Sequence, residues 1–157
     1  STGAKITGTG AWNSTTPTSS LVTIGSQSDV NTSGAGQLMY CFHSVESYSK
    51  VGSYTGNGSA TAGPYVHCGF RPAFILTKRS DGTSPWRLFD NKRPDANFQT
   101  YKLEADSSGA ELTGYPYADF LSNGFKIRDD GSYINANGGN YIFLAFAKSP
   151  FKHTNAR

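Results

Sequence analysis

Helical periodicity is missing from this chain. No stretch longer than about ten residues places apolar side chains at the spacing of one helix face, which excludes a helical bundle and an alternating α/β fold. Long hydrophobic runs are missing too. No window of about 18 apolar residues exists, so no membrane-inserted helix is expected. The opening "STGAKITGTG" has no apolar core, and no signal peptide is visible in it. Charge is sparse: 14 Lys and Arg face 11 Asp and Glu, spread along the chain without a basic block. A basic stripe and a recognisable reader motif are both absent, so nucleic acid is not an expected partner. Cysteine is nearly absent. Cys41 and Cys68 make neither a disulfide framework nor metal-ligand spacing, and both are expected as free, partly buried thiols.

What the chain does have is glycine, small polar residues and rings: 18 Gly, 9 Tyr and 10 Phe in 157 residues. Gly and Asn supply positive φ for tight turns, and aromatic residues fill the space between β-layers. The composition therefore predicts an all-β domain of short strands. The pattern places strands at Leu21–Ile24, 36–45, Tyr48–Ser59, Arg71–Arg79, Pro85–Asp90, 100–105, 118–121, 124–128, 133–135 and 140–148, with at most one more near Ala4–Thr7. Residues 106–117 are expected as a loop. Strand 36–45 is apolar on both faces, which marks a strand enclosed by others, and Arg71–Arg79 is expected to be mostly buried.

One phrase occurs twice. "NTSGAGQLMYCFHSV" begins at Asn31 and "NANGGNYIFLAFAKS" begins at Asn135, 104 positions later. Their alignment pairs Val30 with Ile134, Leu38 with Ile142, Tyr40 with Leu144 and Phe42 with Phe146; Met39 falls on Phe143 and Cys41 on Ala145. With one residue removed from the turn, Val22 falls on Phe125 and Ile24 on Ile127. Residues 46–157 thus hold one complete unit. Residues 1–45 hold the C-terminal strands of a truncated preceding repeat, expected to dock on a complete unit with Leu38 and Phe42 buried.

The complete unit carries "GSYTGNGS", "GFRPAFILTKR", "WRLFDNKR", "FLSNGFKIR" and "INANGGNYIFLAFA". This frame resembles a repeat module of tail-fibre-like and other virion proteins of tailed bacteriophages. The resemblance is dense over residues 46–157, and residues 11–50 match the end of an upstream copy. It implies an antiparallel β-sandwich of the jelly-roll or concanavalin-like kind and a place in a virion assembled in the host cytoplasm. It implies no catalytic residues and no cofactor. The partners it implies are other virion proteins. Uncovered edge strands add homo-oligomeric packing, with a trimer favoured. The functional expectation is a noncatalytic structural module of a tail fibre or appendage, acting in host attachment or appendage assembly. A capsid-surface decoration protein is the alternative, and a glycan-degrading tail enzyme is the third reading.

The polar residues give little chemistry. A glycosidase needs two carboxylates facing one another, and Asp90, Asp95, Glu104, Glu111 and Asp119 show no such arrangement. His43, His67 and His153 are scattered, so no three-histidine metal site is expected. No nucleophile elbow is present. The fragments "GTG" and "GNG" precede no helix, which excludes a phosphate loop. Asp129 and Asp130, beside a glycine, suit a hairpin turn better than a calcium loop. Trp86, Arg87, Tyr115 and Tyr117 are the candidate contacts for a host-surface glycan, because sugars stack on rings while polar groups bond their hydroxyls.

Overall fold

The structure is a computed structural model that describes residues 2–6, 8–94 and 98–151. It divides into two compact units, Lys5–Cys41 and a larger one formed by Ser1–Ala4 with Phe42–Arg157. Among the described residues the larger unit holds eight antiparallel strands: β1 (Ser49–Thr55), β2 (Tyr65–His67), β3 (Pro72–Arg79), β4 (Arg87–Asp90), β5 (Phe98–Glu104), β6 (Leu112–Leu121), β7 (Gly124–Ile127) and β8 (Asn140–Ala147). They form one sheet in the order β1-β8-β3-β4-β5-β6-β7-β2. The fold is all-β and antiparallel, as the sequence pattern predicts. Its two layers are halves of the same sheet, because β5 pairs with β4 through Arg87 and Glu104 and with β6 through Phe98 and Asp119.

The halves close on an aromatic core. Phe125 of β7 meets Phe143 of β8 edge to face at 5.3 Å, and Phe89 of β4 lies 5.9 Å from Tyr117 of β6. Phe120, Phe125, Ile127, Ile134 and Ala145 are sealed from water. Each large side chain among them contributes roughly 1.5–3 kcal/mol on burial. β8 lies between β1 and β3, with Leu144 opposite Val51 on one side and Leu76 on the other. That placement accounts for a strand apolar on both faces.

Several local expectations are corrected. Residues 112–117 are strand where a loop was expected, continuous with the expected strand at 118–121, and Tyr65–His67 adds a short strand. β6 is interrupted between its two paired portions, since Gln99 faces Ala118 whereas Tyr101 faces Thr113. The extra residues "GYPY" leave the ladder there, helped by Gly114 at φ 103°. Residues 133–135 are a turn, not a strand, and Ala4–Ile6 carries no strand. Thr7, Asp95 and His153 lie outside the described residues.

The smaller unit has two single-turn helices, α1 (Thr9–Trp12) and α2 (Ser28–Asn31). Leu21–Ile24 and residues 36–44 carry no strand. Leu38 is 77% exposed and Phe42 57%, against the expectation that both are buried. The physical reason is pairing. A strand needs a backbone ladder, and this stretch is bonded at its end: Ser49 Oγ donates to the His43 carbonyl, the Val51 N–H donates to Ser44 Oγ, and the Val45–Ser49 bridge follows.

The turn before β8 is organised by Asn135, which is fully buried. Its Oδ1 accepts the Asn57 N–H at 2.8 Å, and its Nδ2 donates to the carbonyls of Ser59 at 3.0 Å and Asp129 at 2.8 Å. Gly56 passes so close that a Cβ there would sit 2.3 Å from the Ala136 carbonyl oxygen. Asn135→Ala strands a buried donor and two carbonyls, so a loss of about 2–4 kcal/mol in urea unfolding is expected. Asn135→Asp keeps the acceptor but buries a carboxylate against the Ser59 and Asp129 carbonyls, so it is expected to lose at least as much.

Candidate functional site

The four side chains proposed as a glycan contact do not share one surface. Arg87 opens β4 facing inward and is 6% exposed; Tyr117 is 3% exposed. Trp86 is half-buried, with its backbone N–H donating to Asp106 Oδ1 at 3.0 Å. Tyr115, at 69%, is the exposed member. The two inward residues instead belong to a buried polar cluster. The Arg87 guanidinium pairs with Glu104 and lies 4.5 Å from the centre of the Tyr133 ring. Lys102 Nζ stands 3.9 Å from the Tyr133 ring and 4.5 Å from the Tyr117 ring. Tyr133 donates its hydroxyl to Asp129 Oδ2, while the Gly131 N–H bonds Asp129 Oδ1 at 2.6 Å.

Asp129 is therefore a turn-forming residue with both oxygens engaged. Among the described residues, no group of three or more His, Cys, Asp or Glu side chains converges in a way that could hold a metal. Cys41 and Cys68 are both free, Cys68 buried as expected and Cys41 exposed. Burial pushes the Cys68 thiol up to about 12, so it is an inert core thiol.

Other candidate carboxylates are held by arginine. Arg93 bonds Asp90 at 2.5 Å and also pairs with Glu111. Burial raises the Asp90 carboxyl, but hydrogen bonds from Lys92 N–H and the Arg93 guanidinium outweigh it and leave it below its ordinary value. Asp119 Oδ2 accepts from Arg128 Nε at 2.6 Å. A general acid for glycoside cleavage needs the opposite shift, upward toward neutrality.

The outer face of β5, β6, β7 and β2 has a different character. Register sets Phe98 opposite Asp119, Asp119 opposite Lys126, and Lys126 opposite Tyr65. Cross-strand partners share a face, so these four residues form one row across the sheet. At ordinary strand spacing the row spans roughly 14 Å. Exposed rings stand at its ends; between them lie the Lys126 ammonium and the Asp119 carboxylate, which is buried and paired with the Arg128 guanidinium. Beside Phe98 a recess of about 270 Å³ is lined by Ala60, Thr61, Phe98, Pro116, Asp119 and Arg128. Polar hydrogen-bonding groups beside flat apolar rings suit a polyhydroxylated ligand. Sequence reading could not assemble this row, because it depends on the register of four strands. "GYPY" was the one legible signal, and it delivers Pro116 to the recess.

The outer face of the other half is apolar. Val51, Leu144, Leu76, Leu88 and Leu103 stand in register across five strands, with Val51 and Leu103 exposed. The protein thus presents one aliphatic face and one aromatic, charged face.

A family model described as a domain of unknown function (DUF7483) matches residues 1–150, and the chain belongs to that family. No curated protein and no solved structure matches it.

The buried ammonium gives a pH prediction. Burial, and then repulsion from Arg87, lower Lys102 from 10.5 to about 8, with Asp129 opposing. Between those values the unfolded chain holds a proton that the folded chain has released, so raising the pH favours folding. Wild-type thermal stability is expected to rise from pH 8 to pH 10 relative to Lys102→Met. At pH 7 Lys102→Met is expected to be more stable by about 1–3 kcal/mol, having no cation to desolvate. Parallel pH profiles for the two proteins would contradict the assignment.

Proposed function

We propose that this member of the DUF7483 family is a noncatalytic structural module of a phage virion, carried by a tail fibre or related appendage and acting in host attachment. The single observation that supports the reading is the Phe98–Asp119–Lys126–Tyr65 row with its adjoining recess. An open row of rings and charges is suited to a surface glycan, whereas a bond-cleaving site needs an enclosed carboxylate pair. Arginine pairing of Asp90, Glu111 and Asp119 supports binding without cleavage.

The aliphatic row supports a second part of the proposal, packing of copies around a three-fold axis within the appendage. Exposed aliphatic side chains in register give a flat face that association removes from water. A light-scattering mass of one chain at micromolar concentration would contradict it.

Attachment is tested with host surface polysaccharide. The protein is expected to bind it without shortening it. The Phe98→Ala, Tyr65→Ala double variant is expected to bind at least about tenfold more weakly, a loss of ~1.4 kcal/mol. Undiminished binding by the double variant would remove the row from the account, and a falling polysaccharide chain length would replace attachment with catalysis.

A further inference from the structure

The duplication seen in the sequence extends to the hydrogen bonds. In the larger unit, the N–H groups of Ile134 and Asn135 both bond the Gly131 carbonyl, at 3.0 and 2.8 Å. In the smaller unit, those of Val30 and Asn31 both bond the Gln27 carbonyl, at 3.1 and 2.9 Å. Asn135 Nδ2 reaches the Asp129 carbonyl at 2.8 Å, and Asn31 Nδ2 reaches the Gly25 carbonyl at 3.0 Å. The N–H of Gly139 bonds the Ala136 carbonyl, as that of Ala35 bonds the Thr32 carbonyl. Gly138 has φ 73° and Gly34 has φ 74°. Every one of these pairs lies at the same offset of 104 residues. Upstream, the Thr18 N–H closes a turn on the Leu21 carbonyl where Leu121 and Gly124 close the β6–β7 hairpin.

Residues 25–35 are thus already folded as the turn that leads into β8, although Leu21–Ile24, the counterpart of β7, carries no strand. The next residues differ in outcome. Tyr141, Phe143 and Ala145 are buried between layers, whereas their counterparts Gln37, Met39 and Cys41 are exposed, together with Leu38, Tyr40 and Phe42. The turn is preformed, the apolar pattern is kept from Leu38 to Phe42 while Gln37 stands where the fully buried Tyr141 does, and the flanking strands are missing. The β8 position of the chain's own sandwich is filled by residues 140–147.

We infer that residues 37–43 are a donor strand for a second sandwich unit of the same build whose β8 position is open, entering between that unit's counterparts of β1 and β3. Leu38, Tyr40 and Phe42 then take the places of Ile142, Leu144 and Phe146 on the outer face. Met39 and Cys41 take those of Phe143 and Ala145 on the core. The inference does not rest on the attachment reading, since it concerns strand pairing and not the ligand.

The test places the donor residues in the β8 position of the full chain. The matched variant carries Tyr141→Gln, Ile142→Leu, Phe143→Met, Leu144→Tyr, Ala145→Cys and Ala147→His, keeping Phe146. A second version retains Phe143, so that a cavity alone cannot abolish folding. The control moves the same apolar side chains one position along: Phe143→Leu, Leu144→Met, Ala145→Tyr, Phe146→Cys and Ala147→Phe. A single cooperative melting transition is expected for at least the version retaining Phe143, and its loss is expected for the control. Loss of cooperative melting in both matched versions overturns the inference. So does cooperative melting of the control, because the position would then accept any apolar segment.

Discussion

A β-strand cannot satisfy its own backbone. Its N–H and C=O groups need neighbours on both edges, and in this protein β8 has them in β1 and β3. Once flanked, β8 can carry apolar side chains on both faces. Tyr141, Phe143 and Ala145 seal the core, while Leu144 and Phe146 extend the aliphatic face. The same apolar pattern over residues 37–43 lacks those neighbours and stays exposed. Strand identity here is a property of the place a segment occupies, more than of its residues.

Turn chemistry obeys the opposite rule, because it is local. The segment before Asn31 closes on itself with the bonds of its counterpart before Asn135, in a smaller unit without a sheet. Asn, Gly and short-range carbonyls suffice for that geometry. The larger unit adds what the smaller one lacks: the Asn135 side chain also anchors the loop at Asn57 and Ser59, tying β8 to the chain that follows β1.

The same division governs what the sequence made legible. The apolar run at 71–79 read correctly as a mostly buried strand, whereas 36–45, read as an enclosed strand from the same kind of two-faced hydrophobicity, carries no strand over 36–44. Glycine-containing turns marked the ends of β6 and β7. The row Phe98–Asp119–Lys126–Tyr65 was invisible, since it exists only through the register of four strands. Arg87 and Tyr117 read as surface contacts because charge and a phenol normally seek water. Their burial depends on Glu104, Lys102 and Tyr133 arriving from other elements to share charge and ring faces. Residues 112–117 read as a loop because "TGYPY" holds both Gly and Pro, yet the ladder runs on either side of that interruption.

Amide hydrogen exchange along the two copies of the repeated phrase tests the central claim most directly. Amides of residues 141–147 are expected to exchange only through global unfolding, and those of 37–43 within the fastest class, despite matching apolar patterns. Equal protection of the two segments in the isolated monomer would contradict the claim that flanking strands, and not the residues themselves, make β8 a strand.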